Sequence, residues 1–173
     1  MLLSHTSTII DDEEIYDSTY TLHTNGGDSP IALHDYVYDC LAEDGAWSDR
    51  TFYIDKEPGT FHEYSNLGYA LIGLIAEVVM DQPFSELTYE RIFDPLGMDR
   101  TRWFLSELDE SKMAVPYEFS EGSYIALPHY GFPSYPDGQL KSNIEDLLIF
   151  MQVFLHKGSY QGVEILSSSS VEE

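Results

Sequence analysis

Apolar and polar positions fall into patterns that change along the chain. Leu33, Tyr36, Val37, Cys40 and Leu41 recur at intervals of three and four, which places them on one face of an α-helix. Ser29-Pro30 just ahead offers a capping hydroxyl and a proline suited to a first turn, so the spacing predicts a helix over about 30–43. From Leu67 to Met80 only Glu77 carries a charge. A helix apolar on nearly all sides is expected to be buried on nearly all sides, with Gly68 and Gly73 letting neighbouring backbone come close. Asp81-Gln82-Pro83 ends it, and a second helix is predicted from Phe84 to Phe93, stopping at Asp94-Pro95-Leu96-Gly97 because proline disfavours helical geometry in the residue before it. A last helix is predicted from Asn143, a capping residue, through about His156, with Ile144, Leu147, Leu148, Phe150, Met151, Phe154 and Leu155 as a wide apolar stripe.

Elsewhere the pattern is irregular. Residues 11–28 are polar and acidic, lack helical periodicity and end in Asn25-Gly26-Gly27-Asp28, a strong turn signal, so they read as an exposed loop. Residues 113–140 hold Pro116, Pro128, Pro133 and Pro136 among tyrosines and glycines; this composition suits a long ordered loop, and such loops often border sites. Gly158 to Gly162 read as a turn, and Ser167 to Ser170 as the start of a helix cut short. No solenoid repeat and no period-2 strand long enough to build a sheet alone is visible.

A length of 173 residues, 43% of them apolar, suits one domain with a real core. The charge balance is lopsided, with 8 basic residues against 31 acidic ones and a net charge of −23. Nucleic acid and anionic membranes would repel such a chain. The single cysteine, Cys40, excludes an internal disulfide framework and any multi-thiolate zinc site. The N-terminus has no basic start followed by a signal-peptide-like apolar run. The longest apolar stretch, Tyr69 to Met80, is far short of the ~20 residues that span a bilayer.

Tyr64-Ser65-Asn66 stands between a turn, Lys56-Glu57-Pro58-Gly59-Thr60, and the most apolar helix, where side chains at the helix mouth can face a cleft. The same triplet is also what a packed tyrosine beside a capping Ser or Asn produces. His62-Glu63 lacks the zinc-protease partner, because Asn66 stands where the second His belongs. His5, His23, His34, His129 and His156 make no ligand spacing with Cys40. Ser-x-x-Lys, in which one helical turn brings an amine to a nucleophilic hydroxyl, is absent: Tyr53, Asp109, Gly138 and Phe154 stand three positions before the four lysines. A G-x-S-x-G elbow is absent too. Acidic pairs such as Asp11/Asp12, Glu13/Glu14 and Asp109/Glu110 are expected by composition and are assigned no catalytic role.

Several pieces in one order carry a resemblance. Leu2-Leu3-Ser4-His5-Thr6-Ser7, Pro58-Gly59-Thr60-Phe61, Tyr64-Ser65-Asn66-Leu67-Gly68-Tyr69, Pro95-Leu96-Gly97-Met98 with Thr101, and Asp137-Gly138-Gln139-Leu140 with Ser142 and Asp146-Leu147 resemble the serine β-lactamase/penicillin-binding-protein-like family. The match is to its class C branch of β-lactamases, esterases, D-aminopeptidases and DD-peptidases. The resemblance implies a mostly α fragment, the helical subdomain, of the α+β β-lactamase/transpeptidase-like fold. Residues 1–173 would be a partial domain, with the upstream Ser-x-x-Lys segment and the C-terminal sheet strands missing. It implies that Tyr64 acts in proton transfer beside the lysine, and that Asn66 holds substrate amide or that lysine. The loop around Tyr130 to Leu140 would border substrate, through Tyr130 and Gly138. A tyrosine of pKa ~10 needs nearby cations to act as a base at neutral pH, which agrees with dependence on the missing lysine.

No cofactor and no metal are implied. The parent would be a bacterial, exported enzyme that takes a small-molecule or peptide substrate, a β-lactam, ester or D-amino-acid peptide. Thr8 replaces the glycine usual after His-Thr-Ser, and His156-Lys157-Gly158 spells a family motif at a helix end, where it is read as coincidence. Met1 is read as an internal methionine. The isolated chain is expected to be inactive. The alternatives are a non-catalytic binding or interaction module that keeps the scaffold, and self-association through the surface a missing sheet would leave.

Overall fold

The structure, a computed structural model, describes residues 1–19, the backbone of residues 21–22, and residues 27–172. The Asn25-Gly26 turn signal and His23 lie outside the described residues. The acidic segment differs from the expected loop: it opens with helix α1 (Glu13–Thr19). Asp12 Oδ1 accepts the Ile15 N–H at 3.1 Å, and Glu13 and Glu14 lie in the first turn, where the helix dipole favours negative charge. Only Ile15 and Thr19 are buried, a pair too sparse to register as periodicity. Arg50 ties this helix down by ion pairs to Asp12 and Glu14.

The two-residue strand β1 (Thr21–Leu22) pairs antiparallel with a later segment, and α2 (Leu33–Leu41) buries Leu33, Tyr36, Val37 and Cys40 as the spacing predicts. Its start is at Ala32 and has no side-chain cap; Ser29 Oγ instead accepts the Ile31 N–H at 3.2 Å, ahead of the helix. Helix α3 (Asn66–Met80) starts at the expected place, capped by Ser65, whose Oγ accepts the Gly68 N–H at 2.9 Å. It ends at Asp81 in the left-handed conformation.

Helix α4 (Phe84–Thr88) runs through a π turn (Tyr89–Phe93) into α5 (Asp94–Leu96), so helical geometry passes Pro95 and stops only at Gly97, φ 70°. The wider turn shifts the backbone bonds by one residue, with the Asp94 N–H going to the Tyr89 carbonyl. Pro95, which donates none, then follows directly.

The proline-rich region is ordered and holds more than a loop. A hairpin of β2 (Tyr117–Ser120) and β3 (Ser123–Ala126) turns through Glu121-Gly122, and β4 (Tyr130–Gly131) pairs with β1. A 3-10 turn, Tyr135–Asp137, then packs on α3. Helix α6 (Ile144–Leu155) is capped by Asn143, whose Oδ1 accepts the Glu145 and Asp146 N–H groups. The chain continues through β5 (Ser159–Tyr160) and β6 (Val163–Glu164) to α7 (Ser168–Glu172). The helix-end motif His156-Lys157-Gly158 makes a tight turn: a Cβ on Gly158 would lie 2.0 Å from the Leu166 carbonyl oxygen.

One core unites these elements, with Leu67 and Ala70 of α3 at its centre among Ile9, Leu33, Tyr36, Phe52 and Tyr135. The prediction that α3 is buried on nearly all sides fails at its far end. Ile75, Val78, Val79 and Met80 are exposed, as is the stripe of Ile144, Leu147, Leu148, Met151, Phe154 and Leu155 on α6. No single described helix is long and apolar enough to cross a membrane; α3 with α4–α5 passes by length only as a pair bent by 82°.

Candidate functional site at the mouth of helix α3

The Pro58-Gly59 turn delivers the backbone to the start of α3, and the N-terminal 3-10 turn Leu2–Ser4 lies across it. The Glu63 N–H bonds to the His5 carbonyl at 2.9 Å, and the Ser65 N–H donates to His5 Nδ1 at 3.2 Å. The His5 ring stacks on Tyr69 at 5.0 Å and tilts against Tyr64 at 4.6 Å, with His62 edge-on at 5.8 Å. Because Nδ1 accepts, a neutral His5 carries its proton on the other ring nitrogen. The His-Thr-Ser stretch therefore acts as a support for the Tyr64 ring.

Tyr64 is 61% exposed and its hydroxyl donates to Asn66 Oδ1 at 3.0 Å. Asn66 is half-buried and turned so that its Nδ2 donates to Asp11 Oδ2 at 2.8 Å. Asp11 gathers three more donors: the Asn66 N–H at 2.9 Å, the Leu67 N–H at 2.8 Å and the Ser65 hydroxyl at 3.2 Å. A carboxylate at a helix start satisfies N–H groups that have no partner within the helix and meets the positive end of its dipole. Asp11 thereby orients the Asn66 amide, leaving its oxygen towards Tyr64. Oδ1 has two lone pairs; Tyr64 uses one. Among the described residues no lysine or arginine hydrogen-bonds Tyr64 or Asn66.

Tyr130 and Gly138 occur together elsewhere in the fold, around Phe132. The Tyr130 and Phe132 rings are 6.2 Å apart, and a Cβ on Gly138 would meet only Phe132 Cζ, at 3.8 Å. The Gly138 backbone is exposed. It is held by its neighbour Gln139, 1% exposed, whose Oε1 accepts the Phe132 N–H at 2.7 Å and whose Nε2 donates to the Trp103 carbonyl at 3.0 Å. Further along, buried Thr101 and Asp146 join the exposed Ser142 in one cluster: Thr101 Oγ1 lies 2.8 Å from both Ser142 Oγ and Asp146 Oδ2, and the Arg100 N–H donates to Asp146 at 2.9 Å. An open depression of about 1050 Å³ is lined by Arg100, Lys112, Lys141 and Asn143, among others, and by neither Tyr64 nor Asn66. Among the described residues no group of three or more His, Cys, Asp or Glu is placed to hold a metal ion.

Sequence reasoning missed Asp11 and the role of His5 as a ring support. The first stood in what reads as a solvated acidic run, 55 residues from its partner. No local pattern marks such a contact.

The family model described as Beta-lactamase matches residues 1–171, and the chain belongs to that family. It is 28% identical over 177 residues to penicillin-binding protein 4 of Amycolatopsis lactamdurans, covering 98% of this chain and 41% of that protein. To a putative D-alanyl-D-alanine carboxypeptidase of Escherichia coli it is 26% identical over 143 residues, covering 69% of this chain and 32% of that protein. The solved structure of D-amino acid amidase from Ochrobactrum anthropi with D-phenylalanine aligns over 99% of this chain and 46% of that one, at a TM-score of 0.73 and 23% identity, a likeness in fold. The chain thus spans less than half the length of these relatives.

Proposed function

We propose that this chain is the mainly helical part of a β-lactamase-like serine hydrolase, and that it supplies Tyr64 and Asn66 to an active site whose nucleophile comes from a Ser-x-x-Lys outside these 173 residues. The observation that carries the reading is the Tyr64–Asn66 hydrogen bond, with Asn66 held from behind by Asp11. The free lone pair of Asn66 Oδ1 suits an incoming lysine ammonium or a substrate N–H. That ammonium beside Tyr64 would favour phenolate, so the tyrosine could take and return the proton of the serine hydroxyl. The serine oxygen would attack a carbonyl carbon, the amine or alcohol would leave with the returned proton, and water would release the acyl group. The substrate class is a β-lactam, an ester or a D-amino-acid peptide; the carboxypeptidase and amidase relatives support the last.

The isolated chain should not turn over a chromogenic β-lactam or a nitrophenyl ester above background. In a longer protein carrying the upstream Ser-x-x-Lys, Tyr64→Phe should reduce kcat by about 10²-fold or more while the protein stays folded. An unchanged kcat would remove Tyr64 from the mechanism.

The exposed apolar faces of α3 and α6 support a related reading, in which sheet strands from the rest of a longer chain or from another copy cover them. Sizing that shows dimers or larger species would favour the second source, and a clean monomer would count against it. A non-catalytic module, the alternative, would bind peptidoglycan-like ligands without any turnover even in its longest natural form.

A further inference from the structure

The Asn66 side chain is engaged at both ends of its amide. Its Nδ2 donates to Asp11 Oδ2 at 2.8 Å, and its Oδ1 accepts the Tyr64 hydroxyl at 3.0 Å. An asparagine amide can be reversed with little change in shape, which exchanges a donor for an acceptor. The other partners of Asp11 decide which way it faces here. Asp11 Oδ2 takes the Asn66 backbone N–H at 2.9 Å; Oδ1 takes the Leu67 N–H at 2.8 Å and the Ser65 hydroxyl at 3.2 Å. A backbone N–H can only donate, so both carboxylate oxygens act as acceptors. The atom of the Asn66 amide that meets Oδ2 must then be the nitrogen. A reversed amide would set oxygen against oxygen at 2.8 Å.

This leaves the amide oxygen for Tyr64. Charge adds to the geometry, because hydrogen bonds in a chain polarise one another. The Asp11 carboxylate draws on the Nδ2–H group and makes Oδ1, at the other end of the amide, a stronger acceptor. Tyr64 is held by different means: its ring tilts against His5 at 4.6 Å, and His5 is tied to the Ser65 N–H at 3.2 Å. Asp11 hydrogen-bonds Ser65, Asn66 and Leu67, and it reaches Tyr64 through the Asn66 amide.

We propose that Asp11 is a positioning residue that fixes the polarity of Asn66, turning an acceptor oxygen towards the space beside Tyr64. A group that docks on that oxygen must bring a donor, an ammonium or an amide N–H. A carbonyl oxygen at the same point would face a second acceptor with no proton between them. The bearing on catalysis rests on the serine-hydrolase reading, in which the ammonium is the lysine of an upstream Ser-x-x-Lys. The polarity of the amide does not depend on that reading.

Asp11→Asn keeps the shape and lets residue 11 meet Asn66 with either an oxygen or a nitrogen, so the Asn66 amide loses its single direction. In the ¹⁵N,¹³C-labelled chain, the Asn66 side-chain nitrogen should show a scalar coupling across the hydrogen bond to the Asp11 carboxyl carbon. Its N–H hydrogens should exchange with solvent about tenfold more slowly than in Asp11→Asn, as a hydrogen bond to a charged group implies. Absence of the coupling, or equal exchange in the variant, overturns the proposal. If the variant does not fold, the coupling in the unaltered chain decides alone.

In a longer protein carrying the Ser-x-x-Lys, Asp11→Asn should lower kcat about tenfold for the same loss. In an Asn66→Ala background it should lower kcat no further, because the amide it acts through is gone. Equal losses in both backgrounds would make Asp11 a structural support only and overturn its positioning role. Asn143→Ala removes the cap of a different helix, α6, and so reads what lost stability alone does. It should leave kcat unchanged, and a fall as large as that of Asp11→Asn would assign both to stability. If Asn66→Ala keeps full kcat, Asn66 leaves the proposed mechanism, and the coupling by itself decides the polarity.

Discussion

The two ends of helix α3 are almost equally apolar in composition and have opposite surroundings. At its start Leu67 and Ala70 are buried, Ala70 completely, under the N-terminal turn, α2 and the Tyr135–Asp137 turn, and every N–H of the opening turn meets a carboxylate or a serine. At its far end Val78 and Val79 are 71% and 73% exposed. The start holds a polar site inside an apolar frame; the far end is an apolar face without a frame. Hydrophobicity sets how strongly a helix seeks cover, and neighbouring elements decide which part of it finds any.

Substitutions should therefore be felt less the farther they lie from the helix mouth. Asp11→Ala removes one acceptor from four donors, two of them backbone N–H groups at the helix start. It should destabilise the chain by about 3 kcal/mol, read from the midpoint of urea unfolding. A loss below about 1 kcal/mol would show that water replaces the carboxylate. Gly73→Ala sets a methyl against Pro136 and should cost about 2 kcal/mol by the same measurement, since a close-packed contact with a ring and a helix has little room to yield.

Asp137→Asn should act in the opposite sense. Partial burial pushes the native carboxyl up to about 7. The substitution should stabilise at pH 8 and make little difference at pH 4, where that carboxyl is already neutral, and thermal unfolding at the two pH values checks the sign. Val79→Ser at the far end should change stability by no more than about 0.5 kcal/mol. Its effect should appear in sedimentation velocity, as less self-association at high protein concentration. A larger loss of stability there would mean that the far end is covered in solution.

The elements were legible where a helix carries its own signals. Asn143 caps α6 and Ser65 caps α3 through bonds that span two or three residues, and such local bonds leave a local signature. α2 appeared because four buried side chains share its face. α1 escaped because only Ile15 and Thr19 anchor it and its tie to Arg50 crosses more than thirty residues. The run past Pro95 escaped because a π turn reset the hydrogen bonding just before it. The hairpin Tyr117–Ala126 escaped because its strands expose almost every side chain, so burial imposes no alternation on them.

The site divided along the same line. Tyr64 and Asn66 are two residues apart and their motif is readable as a string. Asp11, which turns the Asn66 amide, lies 55 positions away from it. By itself the sequence determined the main helices, the order of the family motifs and the presence of the Tyr64–Asn66 pair, because each depends on neighbours along the chain. Only the tertiary structure decided which of 31 acidic side chains leaves solvent to hold that pair, because the energy of a buried carboxylate depends on donors and charges that folding alone brings together.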